Sequence, residues 1–240
     1  MITPEQGQQH LARAVVTINE MLATADFATP VRSCPGWTVA DLVVHVGETH
    51  LWAQHAIVAG NPEAPDPGTP GDHQTLPGWY RGAADALLGT LRSVDPAATA
   101  WTFGPPRTAA FWSRRQAHEA SMHGWDLGTA IGRDIGYNEE LALDGIDELV
   151  TMFFPRQVRL GRMPPLAASL GIRPDGYSTR WTLAGDGRHH PDEPPDADLT
   201  GPAPTLLLLL WGRVSLDDPR LRLTGDQDAG RAILDAPLVP

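Results

Sequence analysis

Four times in the first 132 residues, apolar side chains return at the period of an α-helix, and this limits the fold more than any other feature. Leu11, Val15, Ile18 and Leu22 form one stripe, within a helix predicted over 3–24. It is opened by a capping threonine, Thr3, then Pro4 in the first turn and the acid Glu5 near the positive helix end. Thr38 and Asp41 form a capping pair for a second helix reaching residue 58, with Val39, Leu42, Val43, Val46 and Ala53 on its apolar face. Ala84, Leu87, Leu88 and Leu91 mark a third over 79–94, and a fourth is predicted over 108–132. Amphipathic helices of this length, joined in sequence, predict an antiparallel four-helix bundle.

A fifth helix is expected over 138–155, carrying Leu141, Ile146, Leu149 and Phe153. The texture then changes. Residues 179–183 read as a strand ending in the turn Gly185, Asp186, Gly187, and 220–224 alternate as a second strand. Between them, 184–204 is rich in Gly, Pro and Asp, and the Leu-rich run 206–211 reads as helix. A last helix is expected over 228–236. The fold class is therefore α+β: a helical bundle over 1–160 and a smaller α+β domain over 161–240. The prolines at 62, 65, 67, 70 and 77 make 61–78 a long loop, with Trp79 and Tyr80 expected near a pocket.

Composition removes several functions. The formal charge of −11 argues against nucleic acid and against anionic membrane surfaces as partners. All 18 basic residues are arginine, which excludes lysine Schiff-base chemistry and a Walker A loop. The single cysteine, Cys34, allows no intrachain disulfide. With no basic and apolar leader at the start, a cytoplasmic location is expected, with a monomer or small homo-oligomer as the assembly.

The chemistry concentrates on the second and fourth helices. Glu119 and His123 are four residues apart and share a helix face, and Asp126 follows three further on. Carboxylate oxygen and imidazole nitrogen suit zinc and other divalent metals. His118 points about 140° away from His123, counting 100° per residue, and is a poor companion ligand. His45, among valines on the second helix, would supply a third ligand from a facing helix and leave one position open. His50 and His55 read as more exposed. Taken singly, each residue has a plainer reading: His45 as a satisfied core histidine, Asp126 as a solvated acid or a partner of Arg115 or Arg133. Cys34 reads as a reactive thiol or a small packed residue in a turn, and the tryptophans Trp37, Trp52, Trp112 and Trp125 as core packing.

The run 32–46 (Arg32, Ser33, Cys34, Pro35, Gly36, Trp37, Thr38 and on to His45 and Val46) resembles the opening signature of the mycothiol-dependent maleylpyruvate isomerase family, a group of DinB-like metal-binding bundles. Residues 118–126, with Glu119, His123, Trp125 and Asp126, resemble its second signature, and 208–213 with 224–226 resemble its C-terminal domain. The resemblance implies a divalent metal, usually zinc, held by His45, Glu119 and His123. It implies mycothiol, a low-molecular-weight thiol, as cosubstrate beside a small-molecule substrate. The reaction would be cis–trans isomerisation of a maleylpyruvate-type electrophile, or S-transfer to one. Arg213 is the matching candidate for the C-terminal arginine that assists catalysis, and Asp126 for a histidine partner or proton relay. Gly124 stands where the family often carries arginine. A thiol-independent Lewis-acid enzyme and a non-catalytic metal-binding protein are the alternatives.

Overall fold

The computed structural model describes residues 1–187 and 194–240, which divide into two compact units. One is residues 2–137; the other is 138–240 together with Met1.

The first unit is a four-helix bundle of α1 (Pro4–Leu22), α2 (Val39–Val58), α3 (Leu76–Ser93) and α4 (Ala109–Ala130). α1 packs on α4 and α3, and α2 packs on α3 and α4. The caps are as the sequence predicts. Thr3 Oγ1 accepts from the Gln6 amide, and Thr38 Oγ1 from the Asp41 amide, while Gln6 and Asp41 reach back to the cap amides. Leu11, Ile18, Leu42, Val43, Leu87 and Leu127 are buried at the centre. Close approach of α1 to α4 depends on Gly7, where a Cβ would sit 2.7 Å from the Ser113 carbonyl oxygen. α3 starts three residues ahead of the expected 79, because Pro77 is tolerated in a first turn that lacks intrahelical N–H partners.

The second unit begins with α5 (Glu139–Glu148), which runs through a π-helical stretch, Leu149–Phe153, into α6 (Phe154–Arg159). Four strands follow: β1 (Leu166–Pro174), β2 (Trp181–Gly185), β3 (Ala197–Gly201) and β4 (Arg222–Gly225). Their order is β2-β1-β3-β4, with β1 parallel to β3 and the other pairings antiparallel. Register lines up Trp181, Ile172, Leu199 and Leu223, and beside them Leu183, Leu170 and Ala197. α7 (Ala203–Leu210) and α8 (Gln227–Leu234) pack on β1 and β3, and α5 packs on α7.

Three features differ from the sequence expectation. The division falls between 137 and 138, so the fifth helix belongs to the C-terminal unit. β1 was not anticipated, and neither was β3, which lies within the Gly, Pro and Asp-rich stretch read as loop. Residues 188–193 of that stretch lie outside the described residues. Among the described residues, no helix is long and apolar enough to cross a membrane.

Candidate metal centre

The second turn of α2 and the middle of α4 bring His45, Glu119 and His123 together. His45 Nε2 lies 3.0 Å from Glu119 Oε1, and His123 Nε2 lies 3.4 Å from the same oxygen. The imidazoles meet edge to face, with centroids 5.0 Å apart, and the three ligand atoms all lie within 4.8 Å of one another. Zinc–nitrogen and zinc–oxygen bonds near 2.1 Å, set at tetrahedral angles, require donor atoms about 3.4 Å apart. Both contacts to Oε1 lie near that value, so the N, O, N donor set fits a divalent ion such as zinc.

Each donor is held from behind. Arg115 Nη2 donates to Glu119 Oε2 at 2.9 Å, one helical turn away, which leaves Oε1 turned toward the two imidazoles. His123 Nδ1 donates to Asp126 Oδ2 at 3.0 Å, which turns Nε2 toward Glu119. Trp37 lies over His45 with centroids 4.8 Å apart, and stacks near His123 at 6.1 Å. The His45 side chain is 36% exposed, so one side of the site faces outward.

The connector before α2 also has a defined geometry. Residues 34–37 form a tight turn in which the Trp37 amide donates to the Cys34 carbonyl at 3.0 Å. Pro35 and Gly36, with Gly36 at φ +86°, occupy the central positions of a type II turn. A bridge between Pro30 and Thr38 closes the loop. The turn delivers Trp37 to the imidazoles and places Cys34 Sγ 3.6 Å from Asp126 Oδ2.

Electrostatics follow from this arrangement. Burial alone would raise the Glu119 pKa, but hydrogen bonds from His123 and His45, with the charges of His123 and Arg115, hold the carboxylate well below its ordinary range. Burial alone would lower the His123 pKa, but its contacts with Asp126, Cys34 and Glu119 push it well above its ordinary value. Binding of a cation at Nε2 would therefore displace a proton.

Asp126 is fully buried rather than solvated, and it accepts from His123 Nδ1. Arg115 pairs with Glu119, and Arg133 with Glu20. Asp126→Asn is expected to weaken metal affinity ~10–100-fold while the bundle stays folded, because it weakens the acceptor that orients His123. Competition against a zinc chelator measures this, with far-ultraviolet circular dichroism as the check on folding. An unchanged affinity would remove Asp126 from the site.

His50 also departs from expectation: it is 0% exposed. Its Nδ1 pairs with Gln116 Oε1 at 2.5 Å, and its ring faces Tyr80 at 5.8 Å. Among the described residues, His50 Nε2 and Tyr80 Oη are buried and find no hydrogen-bond partner. Burial pulls the imidazole down to about 4, against the opposing effects of Gln116 and the Glu119 charge. The unfolded chain takes up this proton near 6.5, whereas the folded chain resists it down to about 4. Stability therefore falls as pH drops through that window, by about 3 kcal/mol in all, and levels off below it. Urea unfolding between pH 7 and 4 is expected to show a shallower acid limb in His50→Leu than in the wild type. Parallel limbs would refute the assignment.

The remaining expected residues take other places. His118 is buried and outside the ligand group. Tyr80 is buried against His50, and Trp79 lies against Gly47, its Nε1 donating to the Pro67 carbonyl. Arg213 belongs to the C-terminal unit, where it follows α7 and donates from Nη1 to the Trp211 carbonyl at 2.8 Å. Arg115 and Cys34 had signals in the sequence: the four-residue spacing to Glu119 and the turn motif around Pro35 and Gly36.

Comparison with known proteins covers both units. Residues 9–128 match the mycothiol maleylpyruvate isomerase N-terminal domain, and residues 140–232 match the MDMPI C-terminal domain. No curated protein matches the chain in sequence. Two crystal structures of the mycothiol-dependent maleylpyruvate isomerase, one of them a histidine-to-alanine mutant, are similar in fold. Their TM-scores are 0.66 and 0.68 at 15% identity, over 100% of this chain and 97% of theirs. At that identity the likeness establishes the fold and not the reaction. The chain belongs to the mycothiol maleylpyruvate isomerase family.

Proposed function

We propose that this chain is a divalent-metal enzyme, with zinc as the expected ion. In this reading it activates mycothiol or a related low-molecular-weight thiol toward a small electrophile of maleylpyruvate type, by cis–trans isomerisation or S-transfer. The observation that supports this most directly is the convergence of His45 Nε2, Glu119 Oε1 and His123 Nε2 at tetrahedral donor spacing, with one side exposed. A metal bound there would acidify a thiol in its open position, since a coordinating thiol is deprotonated at neutral pH.

The chain's own groups prepare that position. Arg115 keeps Glu119 turned so that a single oxygen faces the ion. Asp126 holds the His123 tautomer by accepting the Nδ1 proton. Trp37 sets an apolar ring beside the two imidazoles. In this reading Arg213 serves a substrate carboxylate, which its guanidinium matches in shape and charge.

The test is turnover of maleylpyruvate and a panel of unsaturated acids by the zinc-loaded full chain, with and without mycothiol, beside Arg213→Lys. Thiol-dependent turnover with a raised KM in Arg213→Lys is the expected result. Turnover independent of thiol would replace this reading with Lewis-acid catalysis. Zinc binding without any turnover would leave a metal-binding protein.

A further inference from the structure

We infer that Cys34, His123 Nδ1 and Asp126 form a second metal position, suited to thiophilic cations, which shares the His123 ring with the first. It requires no catalysis and stands apart from the proposed function. Cys34 Sγ lies 3.6 Å from Asp126 Oδ2, and His123 Nδ1 lies 3.0 Å from the same oxygen. These three ligand atoms all lie within 4.8 Å of one another. An ion bonded to sulfur at 2.3 Å and to oxygen near 2.1 Å, at tetrahedral angles, requires a sulfur–oxygen separation of about 3.6 Å. The nitrogen–oxygen edge requires about 3.4 Å, so an ion would part His123 and Asp126 by a few tenths of an ångström. Asp126 is fully buried, so a cation here would meet a carboxylate that water does not screen.

Sulfur in the donor set separates this position from the N, O, N set on the other side of the ring. Thiolate favours soft ions such as cadmium, cuprous copper and zinc. Binding replaces the Cys34 thiol proton, which passes to solvent, with a sulfur–metal bond. An ion on His123 Nδ1 also moves the ring proton to Nε2, where Glu119 Oε1, 3.4 Å away, can accept it. An ion on Nε2 instead requires the proton on Nδ1, donated to Asp126. The two positions therefore compete for one imidazole, and occupation of either weakens the other.

The probe is cadmium(II), titrated into the chelator-stripped full chain and followed by thiolate-to-cadmium absorption in the near ultraviolet. Cys34 is the only cysteine, so any such band reports on that residue alone. The wild type is expected to give a saturable band, which persists in His45→Ala and shifts to higher cadmium by tenfold or more in Asp126→Asn. Prior zinc loading is expected to raise the cadmium needed. Cys34→Ser is expected to lose the band and keep its zinc. Absence of a band in the wild type would overturn the inference. Loss of the band in a folded His45→Ala protein would overturn it differently, by making Cys34 a fourth ligand of the first ion.

Discussion

Glu119→Ala protein is expected to purify without stoichiometric metal and without turnover, while the bundle remains folded. One oxygen of this carboxylate faces both imidazoles and the other is held by Arg115, so a single substitution removes the only anionic donor of the set. Two neutral imidazoles hold a divalent ion far more weakly, and the expected loss of affinity exceeds about 100-fold, beyond the loss of an outer partner. Arg115 is buried, and losing Glu119 as one of its acceptors is expected to cost roughly 1–3 kcal/mol of stability. Glu119→Gln separates the two effects, because the amide oxygen can still accept from Arg115 while the charge is gone. Elemental analysis of all three proteins measures the result. Metal content in Glu119→Ala equal to that of the wild type would refute the ligand assignment.

Trp112→Ala is expected to lower stability by about 3–5 kcal/mol, a large part of what a domain has to lose. Trp112 lies on the first turn of α4, fully buried, and its Nε1 donates to the Trp101 carbonyl at 2.7 Å. Phe111 and Phe103 meet its ring edge to face at 5.2 and 5.9 Å, and Trp52 meets it edge to face at 5.1 Å. The substitution therefore opens a cavity and orphans a carbonyl where α4 starts, two turns ahead of Glu119. Urea unfolding followed by circular dichroism measures the loss. A loss below about 1 kcal/mol would mean that the aromatic cluster closes over the gap.

α1, α2 and α3 were legible because apolar residues recur in each at the helical period, and because Thr3 and Thr38 signal the starts of α1 and α2 chemically; α4 buries several polar residues among its apolar ones. Glu119 and His123 were legible as a pair because residues four apart on a helix must share a face, whereas His45, on another helix, stood out only as an imidazole among valines and through the family resemblance. The division between units was not legible. α5 has the same helical period as the bundle helices, and period reports that a face is buried without naming the core that buries it. β1 holds two alanines, a serine and a glycine in nine residues, and it pairs on both edges, so no polar alternation marks it.

Side-chain partners were legible only in part. His50 lies four residues after Val46 and seven after Val43, on the buried stripe of α2, yet its polarity suggested exposure. Arg115 and Asp126 share a face of α4, but eleven residues separate them by about 16 Å along the axis, too far to pair. Glu119, one turn from Arg115, takes the guanidinium instead.

In the proposed function, the His45, Glu119 and His123 centre holds a divalent ion with a position open to an external thiol. Cobalt(II) substitution of the Cys34→Ser protein tests it most directly, because that chain has no thiol of its own. Addition of mycothiol is expected to produce a thiolate-to-cobalt band and to change the visible cobalt spectrum, and neither change is expected in Glu119→Ala carrying Cys34→Ser. Stoichiometric cobalt whose spectrum mycothiol leaves unchanged would contradict the claim.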